Sequence, residues 1–119
     1  MLNSVILIGR LAQDPELRYT QGGDAVANFA LAVERPFTNQ RGEKEADFIK
    51  VVAWKKQGEN VSKYLSKGSL CAVNGRIQVR NYEDKEGIKR TIAEVNADRV
   101  VFLDKGGGNK QEKSEEIPF

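Results

Sequence analysis

The chain has 119 residues, 39% hydrophobic and 30% charged, a composition typical of one globular domain with a short appendage rather than two domains. Its 19 basic and 17 acidic side chains leave a formal net charge of +2, and it contains no histidine and a single cysteine, Cys71. These counts exclude histidine-dependent acid–base chemistry, a thiol–histidine pair and an internal disulfide. No apolar run approaches the length of a membrane span, and we expect no export signal and a reducing compartment.

The first half of the chain predicts β-strands in succession. Val5–Leu11 is apolar on both faces, so this strand needs a cover on each side, supplied by the domain or by a second subunit. A short strand over residues 17–20 and a turn at Gly22-Gly23-Asp24 precede a long strand over residues 25–34. Pro36 is expected to end that long strand, because proline has no amide hydrogen to donate to a sheet.

The second half predicts one helix among further strands. The predicted elements are a polar hairpin loop at 38–45, strands at 47–54, 70–82 and 88–97, a turn at 84–87 and a closing segment at 100–103. A helix over residues 57–66 follows from the helical spacing of Val61, Tyr64 and Leu65, although Gly58 weakens it, and Gly68 is the expected stop. The predicted fold class is therefore all-β: an OB-fold, a five- to six-stranded Greek-key barrel with a short helix between its third and fourth strands.

Two of these strands alternate aromatic and basic residues with a period of two. The residues that share a face are Phe48, Lys50, Val52 and Trp54 in one strand and Arg76, Gln78, Arg80 and Tyr82 in the other. The intervening residues, Ile49, Val51, Ala53, Cys71, Val73, Ile77 and Val79, are expected to point into the core. An open face of rings and cations suits single-stranded nucleic acid, because bases stack on rings and phosphates pair with cations. Taken singly, each residue has the alternative of a core aromatic or a solvated cation.

The distribution of charge supports a polyanionic ligand. Between Ile49 and Tyr82 the chain carries seven cations against Glu59 alone, which predicts a local positive field in a nearly neutral protein. The side chains predicted to contact phosphates are Arg35, Lys50, Lys55, Lys56, Arg76 and Arg80. Because neither stacking nor phosphate contact reads base edges, we expect little sequence preference.

The composition changes after Leu103. Residues 104–119 begin with a polar, glycine-rich stretch that cannot bury enough apolar area to fold alone, and we interpret them as a flexible tail outside the domain of residues 1–103. The tail closes on Glu115, Glu116, Ile117, Pro118 and Phe119, two acids followed by a short apolar hook. Such a peptide can dock on a basic partner with an apolar pocket; the alternative is an ordinary frayed terminus.

The chain resembles the bacterial single-stranded DNA-binding protein family over essentially its whole length. The segments that carry the resemblance are Asn3-Ser4-Val5-Ile6-Leu7-Ile8-Gly9-Arg10-Leu11, Asp14-Pro15-Glu16-Leu17-Arg18-Tyr19, Ala25-Val26-Ala27-Asn28-Phe29, Lys67-Gly68-Ser69 and the final Glu-Ile-Pro-Phe. The resemblance implies base stacking by four aromatic residues, Phe37, Phe48, Trp54 and Tyr82. Three of them also follow from the alternation, whereas Phe37 follows from the resemblance alone.

The resemblance also implies an assembly and a cellular role. It implies a homotetramer that binds and protects single-stranded DNA in the bacterial cytoplasm, associated with the nucleoid, and whose residues 115–119 dock replication, recombination and repair proteins. The tail of about 16 residues is shorter than the linker common in the family, which puts in doubt its reach and the cooperativity between tetramers. The sequence does not separate a chromosomal form from a phage-encoded or specialised one.

Other classes of function find less support in the residues. No glycine loop with its lysine is present to cradle a nucleotide phosphate, and we predict neither an enzyme nor a cofactor. Glu43, Glu45 and Asp47 are spaced by two and could gather a metal ion, but they more readily solvate a loop, so no metal site is predicted. The closer alternatives are a dimeric OB-fold replication-restart factor and an RNA-binding OB protein, the latter distinguished by a demand for the 2′-hydroxyl.

Overall fold

The computed structural model describes residues 1–103, and the tail predicted over residues 104–119 lies outside them. The elements in chain order are β1 (Val5–Leu11), β2 (Glu16–Tyr19), β3 (Ala25–Thr38), β4 (Lys44–Trp54), α1 (Lys55–Tyr64), β5 (Leu70–Glu83) and β6 (Lys89–Phe102). Strands dominate because apolar residues recur with a period of two along most of this segment. None of the helices within residues 1–103 is long and apolar enough to cross a membrane.

The sheet closes on itself as a barrel. Its strand order is β1-β5-β6-β4-β3-β2, and β1 also pairs with β3, so five strands form a ring and β2 extends it beyond β3. All pairings are antiparallel except β4 with β6. The helix α1 lies between the third and fourth strands of the ring. This is the predicted OB-fold, a five-stranded barrel with one short helix.

The barrel interior is filled by one side of each strand. Leu31, Val51 and Val73 are fully buried from three different strands, and Val61 adds the apolar side of α1. Cys71 is buried in the same cluster, as its position on the alternating face predicts. Because successive strand residues point to opposite sides, this core also fixes which residues of β4 and β5 point outward.

The helix is shifted by two residues from its predicted bounds, beginning and ending earlier. Gly58 lies inside the helix although glycine is a weak helix former, and its lack of a side chain explains why. A Cβ built on Gly58 would lie 2.6 Å from the Ala53 carbonyl oxygen and 3.1 Å from the Ala27 amide nitrogen, so glycine allows α1 to sit directly on β4 and β3. Gly58 thus contributes packing inside the helix, which ends at Tyr64, before the predicted stop at Gly68.

The ends of two strands differ from prediction. Pro36 does not end β3, which continues to Thr38 through a register shift that begins after Glu34. The predicted break after Ala97 is a bulge within a single strand β6. At that bulge the Gln57 side chain donates to the Asp98 carbonyl (2.8 Å) and accepts from the Val100 amide (2.6 Å), replacing the missing ladder bonds.

Ile77 and Val79 do not enter the core, contrary to prediction. They are 49% and 60% exposed, because β5 continues beyond Gly75, where its pairing with β1 ends, as an arm formed with β6. Alternation predicts opposite faces correctly, but it does not reveal whether anything covers each face. A side-chain clamp supports the arm at its base, where Asn3 accepts from the Ile77 amide and donates to the Ile77 carbonyl, both at 2.9 Å.

The outer side of β1 is uncovered by the domain. Val5, Leu7 and Leu11 pack on the core or against it, while Ile6 and Ile8 are 71% and 54% exposed. The domain itself therefore buries only the inner face of β1, and its outer face is open to a second subunit.

Candidate nucleic-acid interface

The first predicted set of residues occupies the outer face of β4. Phe48 and Trp54 are 67% and 41% exposed, and Lys50 lies between them at the same parity. Val52, the fourth member, is buried at 6% exposure although it has the same parity. Phe48 and Trp54 are therefore not core aromatics, the alternative that each ring has when taken singly.

The second set lies on the same face of the sheet. The register places Val52 opposite Asn96 of β6, and Asn96 opposite Arg76 of β5, so the outer faces of β4 and β5 are continuous across β6. Arg80 and Tyr82 follow along β5 at the same parity, and the Tyr82 ring is 43% exposed. Three of the four predicted stacking residues therefore share one face with Lys50, Arg76 and Arg80.

Small residues and a groove lie beside the rings. Ala32 and Ala30 of β3 pair directly with Phe48 and Lys50, so they leave the face open between the larger side chains. A groove of about 800 Å³ joins Phe48, Lys50 and Arg80 to residues of β2, β3 and the segment before β2. Its other lining residues are Gln13, Asp14, Pro15, Glu16, Arg18, Asn28, Phe29 and Ala30. The site therefore has both open stacking surfaces and a concave groove, whose lining carries three cations and two carboxylates.

The predicted cations divide into two groups by their partners. Each arginine meets a carboxylate: Arg35 meets Asp47 and Glu45, Arg76 meets Asp98 at 3.5 Å, and Arg80 meets Glu94 at 3.0 Å. Within residues 1–103 the lysines Lys50, Lys55 and Lys56 form no ion pair. The face is therefore less positive than the count from Ile49 to Tyr82 predicts, because β6 returns carboxylates beside the arginines.

Glu94 is the acidic residue of this face that sequence reasoning missed. Its side chain is 9% exposed, and it accepts a hydrogen bond from Arg80 Nε at 3.0 Å. Within residues 1–103 the two terminal nitrogens of Arg80 have no carboxylate partner. Glu94 is two residues from Asn96 on β6, and this spacing could have placed it on the same face. It lies outside the segment from Ile49 to Tyr82 over which the charges were counted. Arg18 was missed similarly; it pairs with Glu16 and lines the groove.

Lys55 and Lys56 lie at the junction of β4 with α1, directly after Trp54. Lys55 has φ of 57°, a left-handed conformation unusual for a residue with a side chain, which turns the chain from strand into helix. Both residues are exposed. Two exposed lysines therefore directly follow Trp54 in the chain, at the turn.

Phe37 and Arg35 lie apart from this face, on the β3–β4 hairpin. Phe37 is 63% exposed and follows Pro36 inside the register shift, so pairing does not assign it to the face of Phe48. The Arg35 guanidinium is bound to acidic residues of β4. Phe37 is accessible for stacking, but the structure does not bring it together with the other three rings.

The acidic residues considered for a metal ion have other partners. Glu45 and Asp47 accept hydrogen bonds from Arg35, and Glu43 accepts one from the Asn39 side chain at 3.3 Å. Across residues 1–103 no group of three acidic or cysteine side chains is arranged to hold a metal ion.

The fold and this face define a class: an OB barrel with exposed rings and cations on one side of its sheet. Comparison with known proteins gives the family. The model of the single-strand binding protein family matches residues 2–103, and the chain belongs to that family, in its bacterial form.

Curated relatives agree over most of the chain. A single-stranded DNA-binding protein of Halalkalibacterium halodurans is 60% identical over 111 residues, covering 93% of this chain and 66% of its own length. Single-stranded DNA-binding protein A of Bacillus subtilis is 58% identical over 111 residues, covering 92% and 64%. A single-stranded DNA-binding protein of Staphylococcus aureus is 60% identical over 109 residues, covering 92% of this chain and 70% of its own length. The chain thus spans about two thirds of the length of these relatives.

Proposed function

We propose that the protein binds single-stranded DNA without sequence preference and protects it, and that it is a binding protein rather than an enzyme. The observation that carries this proposal is the continuous face on which Phe48, Trp54 and Tyr82 alternate with cations. The names of its relatives give independent support. Stacked rings tolerate any base because every base has a π-face.

Two kinds of contact divide the work. The rings of Phe37, Phe48, Trp54 and Tyr82 stack on bases, while Lys50, Lys55, Lys56, Arg76 and Arg80 meet phosphates. Phosphate contacts position the strand and carry no sequence information, and a stacked ring does not read a base edge. Duplex DNA hides its base faces and should bind this surface weakly.

Titration of the intrinsic fluorescence tests the proposal. Trp54 is the only tryptophan, so quenching reports one place on the proposed surface. We expect strong quenching by single-stranded DNA and much weaker quenching by a duplex of the same sequence. RNA of the same sequence tests the alternative of an RNA-binding protein: tighter binding of RNA, with dependence on the 2′-hydroxyl, would contradict the assignment to DNA.

We propose further that the protein assembles as a homotetramer. Two separate apolar patches support this: Ile6 and Ile8 on the outer side of β1, and Ile77 and Val79 on the β5–β6 arm. A closed tetramer with twofold symmetry uses two different self-complementary contacts, and isolated domains seldom leave two such strand faces bare.

We propose that the protein acts in DNA replication, recombination and repair in the bacterial cytoplasm, associated with the nucleoid. Residues 115–119 would recruit partner proteins, since two acids followed by an apolar hook suit a basic pocket. Deleting residues 115–119 should leave DNA affinity equal or slightly higher and abolish recovery of replication and repair proteins in a pull-down. Equal recovery by both forms would reject the docking role.

A further inference from the structure

We infer that Arg35 is a positioning residue that braces the hairpin carrying Phe37, and that it is not one of the groups that neutralise phosphate. This inference rests on the proposed binding of single-stranded DNA and deepens it, because it reassigns one predicted contact. It concerns the part of β3 where the sheet itself gives least support.

The backbone ladder is broken at the segment that presents Phe37. Three residues of β3, Arg35 to Phe37, face a single residue of β4, Glu45, within the register shift. Pro36 in the middle of this segment has no amide hydrogen. Backbone pairing therefore does not hold Phe37 in place. Core packing does not hold it either, because its ring is 63% exposed and lies outside the core cluster.

Side chains span the gap that the ladder leaves. Arg35 donates to both carboxylate oxygens of Asp47, from Nη2 at 2.8 Å and from Nε at 3.2 Å, and its third nitrogen, Nη1, donates to Glu45 at 3.1 Å. Asn39 continues the network by donating to the other oxygen of Glu45 at 3.2 Å and by accepting from two backbone amides of the turn. The network therefore joins β4 to β3 on one side of Phe37 and to the hairpin turn on the other.

The geometry and the charge both argue against a phosphate at Arg35. All three guanidinium nitrogens are already engaged, and Arg35 with Asp47 and Glu45 carries a net charge of −1. Asp47 precedes Phe48 on β4, so the guanidinium lies on the opposite side of this strand from Phe48 and Lys50. A phosphate at Arg35 would have to displace a bidentate carboxylate and approach a second one.

The protonation equilibria agree with a tightly held pair. The hydrogen bond from Arg35 lowers the pKa of Asp47 below its ordinary value of 3.8, and the same bond raises the pKa of Arg35. Isolated surface ion pairs usually contribute little, but a bidentate arginine within a network is the recognised exception.

The experiment measures affinity for a labelled thymidine oligonucleotide, and its dependence on salt, by fluorescence anisotropy. Arg35→Ala should lower affinity about threefold to tenfold, part of the value of one stacked base, while leaving the slope of log affinity against log salt unchanged. Arg35→Lys keeps the charge but cannot form the bidentate contact with Asp47, so it should lose nearly as much affinity. Lys50→Ala is the matched control; it should flatten the slope by roughly 0.7, the value for one phosphate on a single strand.

Two further variants separate a brace from a direct contact. The double variant Glu45→Gln with Asp47→Asn removes two negative charges yet should weaken binding, because the brace is lost. Phe37→Ala should cost clearly less affinity in the Arg35→Ala background than in the parent, since an unbraced ring already contributes little. Thermal melting followed by circular dichroism confirms that each variant is folded.

Opposite results would overturn the inference. They are a slope flattened by about 0.7 in Arg35→Ala, full affinity in Arg35→Lys, tighter binding by the double acid variant, or additive effects of Arg35 and Phe37. If Lys50→Ala flattens the slope while any of these occurs, the proposed function stands and only the brace fails. If the parent binds no single strand at all, the proposed function fails and the inference fails with it.

Discussion

Individual residues on the candidate face differ in how freely they can meet a ligand. Lys50, Lys55 and Lys56 have no carboxylate partner within residues 1–103, whereas Arg76 and Arg80 each approach one. A paired arginine can still donate from its remaining nitrogens, but its charge is partly neutralised before DNA arrives. We therefore expect the lysines to contribute most of the salt dependence of binding. The arginines should contribute mainly directional hydrogen bonds that orient the phosphates.

The stacking role gives a prediction for single rings. Phe48→Ala and Trp54→Ala should each weaken binding to an oligonucleotide by about 1 to 3 kcal/mol, the range for losing one base–aromatic stack. Because Trp54→Ala removes the intrinsic fluorophore, the measurement is anisotropy of a labelled oligonucleotide. The slope of log affinity against log salt should stay nearly unchanged in both variants, since no charge is lost.

Tyr19 offers a matched control for this prediction. It is 60% exposed, but it pairs with Ala25, next to the pair of Val26 with Trp54, and therefore points to the other side of the sheet. Tyr19→Ala should leave affinity unchanged. If the Phe48 and Trp54 variants fold and bind like the parent, or if Tyr19→Ala costs as much as they do, the stacking assignment is wrong.

At the scale of elements, most of the fold follows from periodicity. The period of two in β1, β3 and β4 and the helical spacing of Val61, Tyr64 and Leu65 predict the right element types in the right order. The boundaries that failed depend on tertiary contacts. Pro36 is accommodated by a bulge, and the β6 bulge is supported by Gln57, a residue distant in sequence.

The candidate site was predictable to the extent that it is periodic. Phe48, Lys50 and Trp54 share a face because alternation along one strand is a local property. Alternation also predicts Ile77 on the side opposite Arg76, but burial depends on whether another element reaches the arm, which the sequence does not encode locally. The acidic partners of the arginines were missed for the same reason, because they come from a neighbouring strand.

The β5–β6 turn gives a prediction on pH. Asp84 accepts hydrogen bonds from the amides of Glu86 and Ile88, each at 3.0 Å, and from Arg90 Nε at 2.9 Å. The Ile88 amide is the largest cause that lowers the pKa of Asp84 below its ordinary value of 3.8, followed by Arg90. A carboxyl group with a lowered pKa in the folded state adds stability above its unfolded pKa, and this stability is lost as pH falls through the folded value.

Asp84→Asn should therefore have a lower melting temperature than the parent at neutral pH. This gap between the two melting temperatures should narrow as pH falls below about 3.8. Differential scanning calorimetry over a pH series measures it. Glu86→Gln is the control, since it removes a carboxylate of the same turn that accepts no hydrogen bond in the described structure, and its gap should be small throughout. A gap for Asp84→Asn that is absent at neutral pH, or that widens on acidification, would contradict the role of the carboxylate.

At the scale of the whole molecule, the apolar surface is distributed unevenly. The barrel buries its core efficiently, but Ile6 and Ile8 on β1 and Ile77 and Val79 on the arm remain open on two different parts of the sheet. The Phe48 and Trp54 rings and the lysines Lys50, Lys55 and Lys56 lie on β4 and its junction with α1, apart from both patches. An assembly through the two apolar patches would therefore leave Phe48 and Trp54 accessible and place several such faces on one particle, around which a long strand could wrap.

The homotetramer is tested by charging one patch. Ile8→Glu places a carboxylate on the outer side of β1, where the residue is 54% exposed in the single chain, so the barrel itself should fold normally. In an assembled interface the same carboxylate would be buried without a partner, which strongly disfavours association. Light scattering after gel filtration should therefore show a mass below that of the tetramer, with circular dichroism unchanged. Tyr19→Glu is the control, because Tyr19 is 60% exposed on β2, apart from both patches, and its substitution should leave the mass unaltered. A tetramer that persists in Ile8→Glu would exclude the β1 face from the assembly, and a parent protein that is monomeric would reject the homotetramer altogether.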